Sequence, residues 1–131
     1  MEVFARFNLE ASHSLPNVPD LHKCKRLHGH SYRVEVRVRG PVRDETGWVM
    51  DFADIVDAFQ PILGALDHRH LNDVPGLENP TCENIARWIW RRLKPALPLL
   101  SGITIYETPD SGCIYQGENH TIDDWRLTIG E

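Results

Sequence analysis

The sequence predicts an α+β fold, a four-stranded antiparallel sheet with two helices on one face, in the order strand, strand, helix, helix, strand, strand. Three observations predict it. Residues 3–13 and 29–39 alternate apolar and polar side chains, the period of a half-buried strand. Apolar residues from Phe52 to Leu66 and from Ile85 to Leu93 recur at helical intervals. Residues 103–108 then return to alternation, ahead of a short apolar stretch at 113–117. Consecutive strands joined without a crossover pair antiparallel, which leaves the helices to cover one side.

The chain has 131 residues, 41% of them hydrophobic and 25% charged, enough to bury a single core. No repeat or low-complexity linker divides it, so residues 1–118 are expected to form one domain and 119–131 a largely polar tail carrying Trp125 and Leu127. A net charge of −5 argues against general nucleic-acid binding, which needs a basic face. No basic stretch followed by an apolar core opens the chain, and no apolar run approaches bilayer length, so neither a signal peptide nor a membrane span is expected. The three cysteines are odd in number and scattered, which points away from a disulfide framework and toward a reducing cytoplasm.

Taken in order, Val3, Ala5, Phe7, Leu9 and Ala11 share one face of the first strand, opposite Arg6, Asn8, Glu10 and Ser12, and His13 ends the apolar parity. Residues 14–27, with Pro16 and Pro19, read as a loop. Tyr32, Val34, Val36 and Val38 form the apolar face of the second strand, which Gly40-Pro41 ends. Asp51 is placed to cap the first helix, within which Pro61 is expected to cause a kink or a break. Residues 67–80 read as loop. Thr81 caps the second helix, Glu83 suits its positive end, and Pro95 and Pro98 stop it. Pro109 to Gly112 makes the turn between the last two strands.

The chemistry gathers at one end of the first two strands. His28 and His30 are two apart and project together at the start of one apolar face; His13 closes the apolar face of its antiparallel neighbour. Opposed side chains have Cβ atoms roughly 5 Å apart, so three imidazoles are within range of one ion. Three nitrogen donors with a fourth position open is the arrangement of a catalytic zinc site.

Cys24 lies in the connecting loop among Lys23, Lys25 and Arg26. These cations, and a nearby metal, would lower its pKa and make it a base or nucleophile; a fourth ligand or an inert thiol are the alternatives. Cys82 and Cys113 read as packing residues, and His22 and His70 as facing solvent. Asp67-His68 offers a carboxylate beside an imidazole, able to act as an acid–base relay or to sit solvated. Glu107 takes the parity of Ile103 and Ile105, so it points inward and needs a partner, either a buried arginine or a ligand with paired N–H donors.

These residues together resemble the 6-pyruvoyltetrahydropterin synthase superfamily over about residues 4–118. The resemblance rests on Glu10-Ala11-Ser12-His13, Cys24-x-x-x-His28-Gly29-His30, Gly47-Trp48-Val49-Met50-Asp51-Phe52, Leu66-Asp67-His68, Leu71-Asn72, Asn79-Pro80-Thr81, and Glu107-Thr108 ahead of Gly112-Cys113. The three-residue gap between Cys24 and His28 is similar to the branch that forms 6-carboxy-5,6,7,8-tetrahydropterin for queuosine. The resemblance implies the tunnelling fold, assembled as a hexamer from two trimers. It implies zinc on His13, His28 and His30, Cys24 as catalytic base, and a relay of Asp67 and His68 contributed across a subunit boundary. Glu107 would anchor the pterin and Thr81 would lie on the substrate side; Lys23, Lys25 and Arg26 either face the triphosphate as a local positive mouth or form a solvated loop. The implied reaction converts 7,8-dihydroneopterin triphosphate to 6-carboxy-5,6,7,8-tetrahydropterin with loss of triphosphate and acetaldehyde. Pyruvoyl-forming elimination without carbon–carbon cleavage, and non-catalytic zinc-dependent pterin binding, are the alternatives. Arg69-His70, Cys82 and the chain after Glu118 depart from the family pattern.

Overall fold

A computed structural model describes residues 1–118 together with residues 122, 123 and 125. Most of the tail expected at 119–131 therefore lies outside the described residues.

The first two strands, β1 (Glu2–His13) and β2 (His28–Arg39), pair antiparallel without a break from Glu2 opposite Arg39 to His13 opposite His28. Twelve residues of matched alternation set this register, because a slip of one would turn every core side chain to solvent. The helix α1 (Phe52–Leu66) starts at Asp51, whose carboxylate accepts the Ala53 amide at 2.9 Å. A two-residue strand β3 (Arg69–His70) follows, then α2 (Cys82–Leu93), β4 (Leu100–Thr108) and β5 (Ser111–Tyr115). The sheet order is β3-β1-β2-β4-β5, antiparallel except where β3 runs parallel to β1.

Both helices cover one face of the sheet. Leu9, Tyr32, Val34, Val36, Ile103 and Ile105 meet Ile55, Phe59, Ile62, Leu66, Ile85 and Ile89 in a single core. Phe7 stacks on Phe59 with ring centroids 4.1 Å apart, a pair of a kind that adds about 0.5–1.5 kcal/mol beyond its buried area. The opposite face of the sheet is polar. Arg6 and Arg37 both reach Glu35 at 3.0 Å, and Ser31 donates to Glu10 at 2.6 Å. Among the described residues no helix is long and apolar enough to cross a membrane.

The fold class agrees with the sequence expectation, with four differences of detail. The sheet has a fifth strand, since two residues of β3 are too few to show an alternation. The fourth predicted strand lies at 111–115 instead of 113–117, tied to β4 by a register shift between Tyr106 and Thr108. Pro61 neither ends nor splits α1: its ring is on the solvent side, and the helix tolerates one missing amide there. Phe52 and Val56, expected on the apolar stripe of α1, are 57% and 39% exposed, because the sheet is already covered by Ile55, Phe59 and Ile62.

Candidate metal centre

The hairpin register fixes two of the three imidazoles directly: His13 and His28 are paired across β1 and β2, and His30 is opposite Ala11. All three project from the core side of the strands. One ligand nitrogen from each of His13, His28 and His30 lies within 4.8 Å of the others, and no other group of three or more such side chains forms among the described residues. Cys24 is not in this set, so the alternative in which its thiol completes a four-ligand structural site receives no support from the geometry.

Backbone carbonyls set the protonation of two rings. His13 Nδ1 lies 2.8 Å from the carbonyl oxygen of Pro80, and His28 Nδ1 lies 2.7 Å from that of Arg26. A carbonyl can only accept, so each Nδ1 carries the proton and each Nε2 presents a lone pair. Those two Nε2 atoms are 2.9 Å apart. Two bare lone pairs at that distance repel, and a cation between them and His30 resolves the conflict. The donor set therefore fits a zinc-like ion: neutral imidazoles, oriented from behind by the main chain, in the way that ligand histidines usually are. Burial acts in the same direction, pushing the His13 and His30 imidazoles below their ordinary pKa and favouring the neutral form.

Glu107, at the end of β4, supplies the next layer. One carboxylate oxygen lies 3.4 Å from Nε2 of both His13 and His30. The inward-pointing acid thus finds its place at the histidine cluster; among the described residues no arginine pairs with it, and about a quarter of its side chain remains open.

Asp67 and His68 form a separate unit on the far edge of β1. Asp67 accepts the Glu10 amide at 2.9 Å and lies 3.1 Å from His68 Nδ1. The Glu10 amide, and after it His68, hold the Asp67 carboxyl below its ordinary pKa. His68 donates its own amide to Glu10 at 2.6 Å and adopts φ = 57°, a left-handed conformation costing about 1–2 kcal/mol for a residue with a side chain. The turn presents an imidazole that is 77% exposed. It borders an open cleft of about 470 Å³ lined by Glu10, Ser12, Ser31 and His70, with His30 of the histidine cluster on the same cleft.

The loop before β2 places the remaining candidates. Cys24 is half-buried in a single 3-10 turn, its amide donated to His22 Nδ1 at 3.0 Å and its carbonyl accepting from Leu15. Lys25 folds back onto the loop, reaching the Pro16 carbonyl at 2.9 Å and Asp20 at 3.2 Å, while Lys23 and Arg26 are exposed. Thr81 uses its hydroxyl to accept the Asn84 amide at 3.1 Å as the cap of α2.

Sequence reasoning missed several contributors. Tyr32, next on the same face after His30, is buried with its hydroxyl 3.3 Å from His13 Nδ1, and burial raises its pKa. Asn72 grips both the amide and the carbonyl of Ser14, at 2.9 and 2.8 Å, anchoring the chain just past His13. His70 is half-buried and not solvent-facing, with Nδ1 3.1 Å from the Ser12 hydroxyl. The parity of Tyr32 was available as a signal; the main-chain acceptors and His70 had none.

Comparison with known proteins agrees with this geometry. The chain matches the family described as 6-pyruvoyl tetrahydropterin synthase over residues 2–118. It is 41% identical over 119 residues to a 6-carboxy-5,6,7,8-tetrahydropterin synthase of Synechocystis sp., covering 86% of this chain and 91% of that one. It is 35% identical to a human 6-pyruvoyl tetrahydrobiopterin synthase, over 89% of this chain and 92% of that one. The solved 6-pyruvoyl tetrahydropterin synthase of Caenorhabditis elegans superimposes with a TM-score of 0.82 at 28% identity, covering 90% of this chain and 96% of the other. The matched span contains every candidate residue of the hairpin, the Asp67-His68 turn and Glu107. This chain therefore belongs to the 6-pyruvoyl tetrahydropterin synthase family of pterin lyases.

Proposed function

We propose that this chain is a zinc-dependent 6-carboxy-5,6,7,8-tetrahydropterin synthase. It would take 7,8-dihydroneopterin triphosphate and, with uptake of a water, release triphosphate and acetaldehyde, a step toward queuosine in the cytoplasm. The observation that carries the metal-dependent reading is the meeting of two carbonyl-backed imidazoles, lone pair to lone pair at 2.9 Å, beside a third. The choice of branch is supported by the Synechocystis relative and by the three residues between Cys24 and His28.

His13, His28 and His30 would hold the ion, which when bound supplies Lewis acidity toward the hydroxyls of the substrate side chain. Glu107 would accept from the paired N–H donors of the pterin ring, a charge-assisted contact that fixes the ring at a set distance from the histidines. Cys24, as thiolate, would take a proton from the side-chain carbon next to the ring, and His68, steadied by Asp67, would move a second proton. Lys23 and Arg26 remain free of the loop contacts that occupy Lys25, and would meet the triphosphate.

The relay turn runs along the outer side of β1, where His68 and His30 border one open cleft. The exposure of His68 there supports a site completed by a neighbouring subunit. Among the described residues β5 is the last strand of the sheet and its Ile114 is exposed; that edge, and the polar face of the sheet, suit edge-to-edge closure into a trimer around a hydrated channel, two trimers making the hexamer.

The decisive experiment is incubation with 7,8-dihydroneopterin triphosphate and mass analysis of the products, with and without a chelator. Acetaldehyde and the 6-carboxy product, both lost on chelation, are expected. A pyruvoyl product without acetaldehyde would move the chain to the reaction named for its human relative. Tight pterin binding with no conversion would make it a binding protein.

A further inference from the structure

Two of the three cysteines meet outside the metal centre. Cys82 opens α2 directly after its cap, and Cys113 sits in β5 opposite Ile105 of β4. Their sulfur atoms are 3.3 Å apart. Cys113 Sγ is also 3.4 Å from the Cys82 carbonyl, and Cys82 Sγ is 3.7 Å from that of Ile105, so both side chains are turned toward one another across the junction of helix and sheet. A disulfide needs sulfurs about 2.05 Å apart, a closure of little more than an ångström from this arrangement.

We propose that Cys82 and Cys113 are a redox-active dithiol that a hydroperoxide converts to an intrachain disulfide, leaving Cys24 as the free thiol. The two sulfurs are unequal in access: Cys82 is 7% exposed, whereas Cys113 is only half-buried. A hydrogen bond from the Cys82 thiol also favours the Cys113 thiolate, while the same contact, with burial, raises Cys82. Cys113 is therefore the sulfur that attacks. Its thiolate attacks one oxygen of hydrogen peroxide and breaks the O–O bond, giving a sulfenic acid and a hydroxide that takes up the Cys113 thiol proton and leaves as water; the Cys82 sulfur then attacks the Cys113 sulfur, and the hydroxyl leaves with the Cys82 thiol proton as a second water. Two thiols and one peroxide become one disulfide and two waters. The link joins the first turn of α2, two residues after the carbonyl that orients His13, to the strand beside β4, which carries Glu107.

The test treats the full, reduced chain with stoichiometric hydrogen peroxide, alkylates the remaining thiols, and measures intact mass and the peptide map without reduction. The expected result is a loss of two hydrogen masses, one alkyl group on Cys24, a Cys82–Cys113 cross-linked peptide, and full reversal by dithiothreitol. Cys82→Ala and Cys113→Ala should each abolish the mass loss, and Cys24→Ala should keep it. Accumulation of oxygen on Cys113 without a cross-link, or a cross-link that includes Cys24, would overturn the proposal. Because the readout is mass, it is independent of which pterin reaction the chain performs.

Discussion

At the residue scale, the two groups that bracket the histidines have separable roles. Replacing Glu107 by Ala removes a charged acceptor while leaving all three imidazoles in place. Pterin affinity should fall about 10–100-fold, the cost of one charge-assisted hydrogen bond, with zinc content by elemental analysis unchanged. Equal loss of both would make Glu107 a structural part of the centre. Replacing Cys24 by Ala should lower kcat by about 10²–10⁴ and again leave zinc bound, since its sulfur is outside the ligand set; normal turnover would remove Cys24 from the chemistry. The convergence of the three histidines was legible in the sequence because strand parity and hairpin pairing are properties of side-chain order. The Pro80 and Arg26 carbonyls that set two of the tautomers were not, because a peptide oxygen carries no residue identity and its partner is found only through the folded chain. Glu107 was half legible: its parity gave the direction, but not the imidazoles at the end of it.

Among the elements, the long strands and both caps followed from their patterns, while β3 and the unbroken passage of α1 through Pro61 did not. Short pairings and solvent-side prolines are settled by surroundings, which local sequence does not encode. The cap of α2 is testable. Thr81→Ala should cost about 1 kcal/mol in urea unfolding, and Thr81→Ser should restore most of it. A variant as stable as the parent would assign Thr81 to substrate alone. The turn before β3 gives a pH dependence. The Asp67 carboxyl has its pKa lowered in the folded chain, chiefly by the Glu10 amide, so its contribution is complete above the ordinary value of 3.8 and is lost as the pH falls through the lowered one. The Tm gap between the parent and Asp67→Ala should accordingly be constant from pH 7 to about 5 and shrink below 3.8. A gap that widened in acid would contradict the Glu10 contact.

For the molecule as a whole, the proposed reading has a neighbouring subunit complete the site, so metal binding and turnover should come apart when subunits do. Ile114→Lys places a charge on the exposed edge strand. The variant should elute as a smaller, folded species in light scattering, keep its zinc and lose activity. A monomer with full turnover would show that one chain suffices. The hairpin itself has a wider consequence. Its twelve paired positions hold His13 against His28 whatever the connecting residues do, because the register is decided along the strands and not by the connection. Between Ser14, held by Asn72, and Arg26, whose carbonyl backs His28, the chain around Cys24 can therefore change its length and charges while the paired strands stay put. Substrate preference is free to drift there without disturbing the three imidazoles.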